Sequence, residues 1–91
     1  MNCFHSMRSL TTSEFWRGYR ALPPVVREQT RKAYRLWQEN PRHPSLRFEK
    51  KGNYWSVRVS RGYRALAREQ SGVFYWFWIG HHSEYDRLIQ S

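Results

Sequence analysis

The stretch spanning residues 54–82, YWSVRVSRGYRALAREQSGVFYWFWIGHH, most restricts what this chain can fold into. Its aromatic and β-branched residues are cut by two Gly-containing turns, and that pattern reads as three antiparallel strands. In residues 54–59 the side chains alternate, with Trp55, Val57 and Val59 on one face and Tyr54, Ser56 and Arg58 on the other. Residues 73–79 are apolar or aromatic without a break, so this segment is expected to be central and covered on both faces. Residues 63–69 alternate less cleanly, and Ala65, Leu66 and Ala67 would also suit a helix; their neighbours decide for strand.

Loop length sets which residues meet. A three-residue loop at Ser60, Arg61 and Gly62, with Gly62 at positive φ, places Val59 opposite Tyr63, Val57 opposite Ala65 and Arg58 opposite Arg64. This register keeps the apolar residues on one face, where a one-residue slip is costly. The same loop type at Gln70, Ser71 and Gly72 places Trp78 opposite Arg64 and Trp76 opposite Leu66. By parity His82 then follows Trp78 on the same side.

Upstream, Thr11 as N-cap and Glu14 three residues later form a capping box that starts a helix. Phe15, Tyr19 and Leu22 share a stripe with Trp16 beside them, and Arg17 and Arg20 face outward. Pro23 ends this helix, and Pro24 is suited to begin a second that runs to Glu39, with Val26, Thr30, Ala33 and Trp37 inward. Its outer face carries Arg27, Arg31, Lys32 and Arg35. After an irregular bridge at 41–45, residues 46–49 read as a short first strand, followed by a basic turn at Lys50, Lys51 and Gly52. Residues 83–89 suit a short helix with Ser83 as cap and Tyr85, Leu88 and Ile89 inward. The expected fold is α+β: an N-terminal helical hairpin packed on a four-stranded antiparallel sheet, with a short C-terminal helix. Residues 1–91 make one domain, of which 1–10 read as a flexible N-terminal extension.

Sixteen Lys plus Arg stand against seven Asp plus Glu, a net charge of +9, and thirteen of the sixteen are Arg. Arg offers a planar fork for phosphate and stacks on bases, so the bias points to nucleic acid or to an acidic protein partner. Cys3 is the single cysteine, which excludes an internal disulfide, and the scattered His show no zinc spacing. No metal or other cofactor is expected. No signal peptide or membrane span is legible, and a cytoplasmic protein is the simplest expectation.

With these residues laid out, the chain resembles the RelE/ParE superfamily of bacterial type II toxins across roughly residues 15–88. The resemblance is carried by the helical hairpin with Leu22-Pro23, the Asn40-Pro41 to Leu46 bridge, Tyr54-Trp55-Ser56-Val57-Arg58-Val59, Tyr63-Arg64-Ala65 and Ile79-Gly80-His81-His82. It implies a small toxin neutralised by a cognate antitoxin protein. In the RelE-like branches it implies a metal-free, ribosome-dependent endoribonuclease that cuts mRNA through the RNA's own 2′-hydroxyl, with ribosomal RNA as a further partner. By motif, the family's functional arginines correspond to Arg58 and Arg64 and its histidine after the last strand to His82. The branches also place a carboxylate or lysines near the first strand; Glu49, Lys50 and Lys51 are nearby but match no motif. The ParE-like branch implies an alternative, a toxin directed at DNA gyrase without a nuclease site, and a decayed toxin that only binds its antitoxin is a third.

In-line attack on a phosphodiester needs cations for the developing phosphorane charge and groups that move protons. Arg58 and Arg64 on adjacent strands could clamp one phosphate, and His82 is the natural proton carrier. These three are the candidate catalytic residues. Lys50, Lys51, Arg61, Trp78, His81 and Tyr85 are the candidate RNA contacts. The structural alternatives are a solvated arginine face, though like charges directly opposite destabilise a sheet unless an anion bridges them. Tyr85 suits helix packing as well as it suits RNA. Trp76 and Trp78 suit sheet covering better than base stacking, with Trp78 the stronger candidate for a stacking surface beside Arg64.

Overall fold

A computed structural model of the chain describes residues 8–90. Its sheet has five strands in the order β1-β5-β4-β3-β2, formed by Arg8–Thr11, Glu49–Lys51, Tyr54–Ser60, Tyr63–Gln70 and Val73–His81. β5 is interior, as its unbroken apolar run requires. The strand on its outer side is β1, which pairs with it in parallel from Arg8 opposite Val73 to Thr11 opposite Trp76. The sheet is therefore mixed and five-stranded, where the sequence alone suggests four antiparallel strands. The fifth strand takes in Arg8, Ser9 and Leu10 of the stretch expected to be a flexible extension. Arg-Ser-Leu-Thr has no strand signature of its own; the unpaired edge of β5 draws it into the sheet. The remainder of that stretch lies outside the described residues.

Both central hairpins close through two residues rather than three. Ser60 pairs with Tyr63, leaving Arg61-Gly62 as the turn, and Val59 is the extra residue of a β-bulge between Arg58 and Ser60. The expected Val59–Tyr63 pair is thus replaced, while Val57–Ala65 and Arg58–Arg64 form as the alternation requires. Gly62 does not take positive φ. At the second turn Gln70 pairs with Val73, and Ser71 (φ 52°) with Gly72 (φ 81°) supplies the two left-handed positions that a tight hairpin needs. A second bulge follows on β5, because Ala67 pairs with Trp76 but Leu66 pairs with Trp78. Trp78 consequently lies opposite Leu66, and Gly80, not Trp78, lies opposite Arg64. A bulge aims side chains that strict alternation would separate. Phe77 meets Tyr54 and lies under the Arg68 guanidinium, 5.0 Å from its ring centre.

Helix α1 spans Ser13–Arg20. Thr12, one residue after the expected cap, accepts the Phe15 N–H at 3.2 Å and donates its hydroxyl to the Trp76 carbonyl at 3.2 Å, tying the helix start to β5. Thr11 remains in β1 and accepts from Trp16 Nε1 at 2.8 Å. Further along, α1 approaches β5 so closely that a Cβ on Gly18 would stand 2.9 Å from the Ile79 carbonyl oxygen. Helix α2 spans Pro24–Glu39, the expected range, and buries Val26, Thr30 and Trp37. Trp37, 1% exposed, meets Phe48, Phe74 and Trp76 edge to face at 5.3–5.6 Å. Truncating such a residue to Ala costs about 3–5 kcal/mol.

The bridge after α2 is a 3₁₀ turn, Pro44–Leu46, that buries Leu46. His43 Nδ1 accepts the Ser45 N–H at 3.2 Å, and Arg47 takes a left-handed conformation (φ 45°, ψ 49°) before the chain enters the sheet. These two constraints delay β2 to Glu49, past the expected start at 46. Helix α3, His82–Gln90, covers the opposite face of the sheet from the hairpin; there Tyr85 is 8% exposed and Leu66 fully enclosed. Among the described residues no helix is long and apolar enough to cross a membrane.

Candidate nucleic-acid interface

The face away from the helical hairpin carries the charged cluster. Residues paired across strands point the same way, so Ser56, Arg58, Arg64 and Leu66 share this face with Trp78 and Gly80 of β5. Arg58 stands directly opposite Arg64. No carboxylate bridges them: Arg64 Nη1 donates to the Ser60 and Tyr63 carbonyl oxygens, both at 3.0 Å, and Arg58 makes no hydrogen bond or ion pair among the described residues. Burial pushes the Arg64 guanidinium below its ordinary pKa, Arg58 and then Arg47 add to the shift, and Tyr85 and Asp86 oppose it. A guanidinium remains charged through such shifts, so the pair is a concentrated positive site. Arg47 and Asp86 belong to its surroundings although nothing in the sequence marks them: Arg47 arrives through a left-handed turn, and Asp86 follows Tyr85 on α3.

Trp78 reaches this site by a route other than the expected register. Its ring lies over Gly80, where an added Cβ would be 2.7 Å from the ring, and Gly80 is the residue opposite Arg64. The indole therefore flanks the arginine pair because Gly80 leaves room for it.

The two histidines divide. β5 ends at His81, and His82 begins α3 instead of continuing the strand beyond Trp78. The His82 N–H donates to the Gly62 carbonyl at 2.9 Å, which holds it at the turn whose other carbonyls bind Arg64. His82 and Arg64 are thus fixed by one four-residue segment, 60–63. His81 serves as the cap that the sequence assigns to Ser83. Its Nδ1 accepts the Ser83 N–H at 3.3 Å, which places the ring proton on Nε2, and its ring stacks on His82 with centroids 4.6 Å apart.

Tyr85 is a packing residue here. Its hydroxyl donates to Ser56 Oγ at 3.2 Å beneath α3, and both residues are buried. Arg61 occupies the β3–β4 turn next to Arg58. Lys51 is on the site's face at the sheet edge, pairing with Tyr54 and lying 3.4 Å from Glu49, while Lys50 pairs with Trp55 and points to the hairpin side. The structure thus gathers Arg58, Arg64, Trp78 and Tyr85, ties the His82 backbone to the neighbouring turn with its ring stacked on His81, keeps Arg61 adjacent, and leaves Lys50 apart. Among the described residues no group of three or more His, Cys, Asp or Glu side chains is placed to hold a metal.

Known proteins place this architecture. The structure is similar to that of RelE in the RelB–RelE antitoxin–toxin complex from Methanococcus jannaschii, with TM-score 0.67 and 20% identity, covering 86% of this chain and 96% of that one. It is similar to the isolated E. coli RelE toxin, with TM-score 0.60 and 20% identity over 92% of this chain and 99% of that one. The archaeal RelE–RelB complex from Pyrococcus horikoshii matches with TM-score 0.60 and 14% identity, covering 84% and 94% of the two chains. No curated protein sequence matches the chain. The family model of the ParE-like toxin domain matches residues 24–87, most of the chain. The chain therefore belongs to the ParE-like toxin domain family, within the RelE/ParE superfamily of toxins.

Proposed function

We propose that this toxin is an endoribonuclease that cuts mRNA on the ribosome in the cytoplasm and is held inactive by a cognate antitoxin. The observation that carries the nuclease reading is the Arg58–Arg64 pair: two cations face each other across β3 and β4 with no acidic residue between them. That arrangement is unfavourable unless an anion joins it. A phosphodiester supplies the anion, and the two guanidinium forks then stabilise the charge that grows on the non-bridging oxygens as the 2′-hydroxyl attacks. The attack forms a 2′,3′-cyclic phosphate and breaks the bond to the 5′-oxygen. The proton lost from the 2′-hydroxyl leaves through a base, and one is delivered to the departing 5′-oxygen. His82 at the same turn is the residue suited to carry it.

An antitoxin partner is supported by the RelE-like folds found in complex with RelB. It is supported also by the surface, on which a net charge of +9 coexists with exposed Leu10, Trp16, Val25 and Tyr34. An acidic, partly apolar segment would neutralise the first and cover the second.

The test is expression of the chain with and without the adjacent reading frame, followed by mapping of mRNA 5′ ends. Ribosome-phased cuts that vanish when the neighbour is co-expressed are the expected result. Replication or supercoiling defects with intact mRNA would overturn the nuclease reading in favour of a gyrase-directed toxin.

A further inference from the structure

Beside the arginine pair, β3 has an open edge. β2 pairs only with Tyr54, Trp55 and Ser56, so from Val57 onward the edge of β3 faces α2 and the 3₁₀ turn instead of another strand. Between them lies a groove of about 400 Å³, within the size range of small-ligand sites, roughly 300–1,000 Å³. Its walls include Gln29 and Lys32 from α2, Ser45 from the 3₁₀ turn, and Arg58 and Arg61 from β3 and its turn. The buried Leu46 forms part of its floor. Arg58 belongs to this groove and to the arginine pair alike.

We infer that the groove seats the nucleotide next to the phosphate held by Arg58 and Arg64, and that Gln29 reads its base. The inference rests on the RNA-cutting function and adds to it the residues that select the sequence. Single-stranded RNA presents unpaired base edges to proteins, and an amide side chain that donates and accepts at once matches such an edge. An apolar floor accepts the flat base, while Lys32 and Arg61 face the phosphates on either side. Lys32 is available for this, since its contact with Glu28 is 3.9 Å long and exposed, a type worth little. The β3 bulge at Val59 turns the strand end and carries Arg61 to the rim of the groove.

Two measurements test this, the first without cleavage. The full-length ¹⁵N-labelled protein is titrated with an RNA trinucleotide blocked by 2′-O-methyl groups. Saturable shifts of the Gln29 side-chain amide and the Arg61 backbone are expected, and they should disappear when the terminal base is replaced by an abasic residue. Shifts confined to Arg64 and Trp78, shifts indifferent to the abasic change, or no shifts at all would overturn the subsite. In the second, cut positions are mapped for the wild type and Gln29→Leu. The preference between bases flanking the cut should fall about tenfold, and an unchanged preference removes Gln29 from the readout. Groove shifts in a protein that never cuts would instead retain the RNA subsite and reject the nuclease reading.

Discussion

The Tyr85 hydroxyl donates to Ser56 Oγ at 3.2 Å under α3, joining the C-terminal helix to the middle of β3. Both residues are nearly enclosed, Ser56 at 3% and Tyr85 at 8% exposure, so each depends on the other for its buried polar group. Tyr85→Phe leaves Ser56 without its partner and should cost about 1–2 kcal/mol. Ser56→Ala with Tyr85→Phe removes both polar groups and should cost less than the single change. Urea unfolding of the two singles and the double checks this; a double as damaged as the sum of the singles would show that the bond is not what holds α3 in place.

The arginine pair predicts an unusual response to anions. Sulfate or phosphate at millimolar concentration should raise the melting temperature of the wild type, because it relieves the repulsion between Arg58 and Arg64. The rise should shrink in Arg58→Ala, which removes one half of the clamp and also the repulsion, so this variant should match or exceed the wild type in plain buffer. In cleavage, Arg58→Ala and Arg64→Ala should each lose about 10²- to 10³-fold. Arg64→Lys should recover little, since one ammonium cannot hold the Ser60 and Tyr63 carbonyls and a phosphate in the geometry of a planar fork. Melting curves across a sulfate series, with single-turnover cleavage beside them, separate the two effects.

Alternation and turn residues are local signals, and they carry far in this chain. They place Arg58 opposite Arg64, put Trp55 and Val57 on the hairpin face, and bound α2 correctly at Pro24 and Glu39. What they miss is decided by contacts distant in sequence. The two bulges compensate for tight two-residue turns, so Trp78 shifts to Leu66 while its ring still reaches the arginines by way of Gly80. β1 exists because β5 offers it an edge, and four residues of mixed character cannot announce that. Arg47 depends on a left-handed turn after a buried leucine, for which Arg itself gives no sign. The N-caps show the same limit on a smaller scale: Thr12 wins over Thr11 because its hydroxyl also reaches the Trp76 carbonyl, and His81 wins over Ser83 because its ring folds back over the helix start.

Glu14 gives the start of α1 a pH dependence. Its own backbone N–H holds its carboxyl below the ordinary glutamate range, with Arg17 adding to this. A carboxylate whose pKa is depressed by folding contributes stability that is fully present above its unfolded pKa, about 4.3, and is lost as pH falls through the folded value. Glu14→Gln should therefore be less stable than the wild type at neutral pH, and the difference should close in acid. Guanidinium unfolding of both proteins between neutral pH and pH 3 measures it. A difference that stays constant with pH would mean that the charge of Glu14 plays no part.

His81 and His82 stack on one another, yet the structure assigns them different work, and substitution should separate them. His81→Ala removes the acceptor for the Ser83 N–H and should cost about 1 kcal/mol through fraying of α3, the scale of a lost N-cap. His81→Asn can restore an acceptor at that position and should recover much of the loss. His82→Ala removes no side-chain hydrogen bond, since only its backbone N–H is tied to Gly62, so its stability should stay close to that of the wild type. Its cleavage should fall by about 10²- to 10⁴-fold, with ribosome binding nearly intact. If His82→Ala still arrests growth with its fold intact by circular dichroism, the proton is carried by another group, and His82 is only the residue that starts α3.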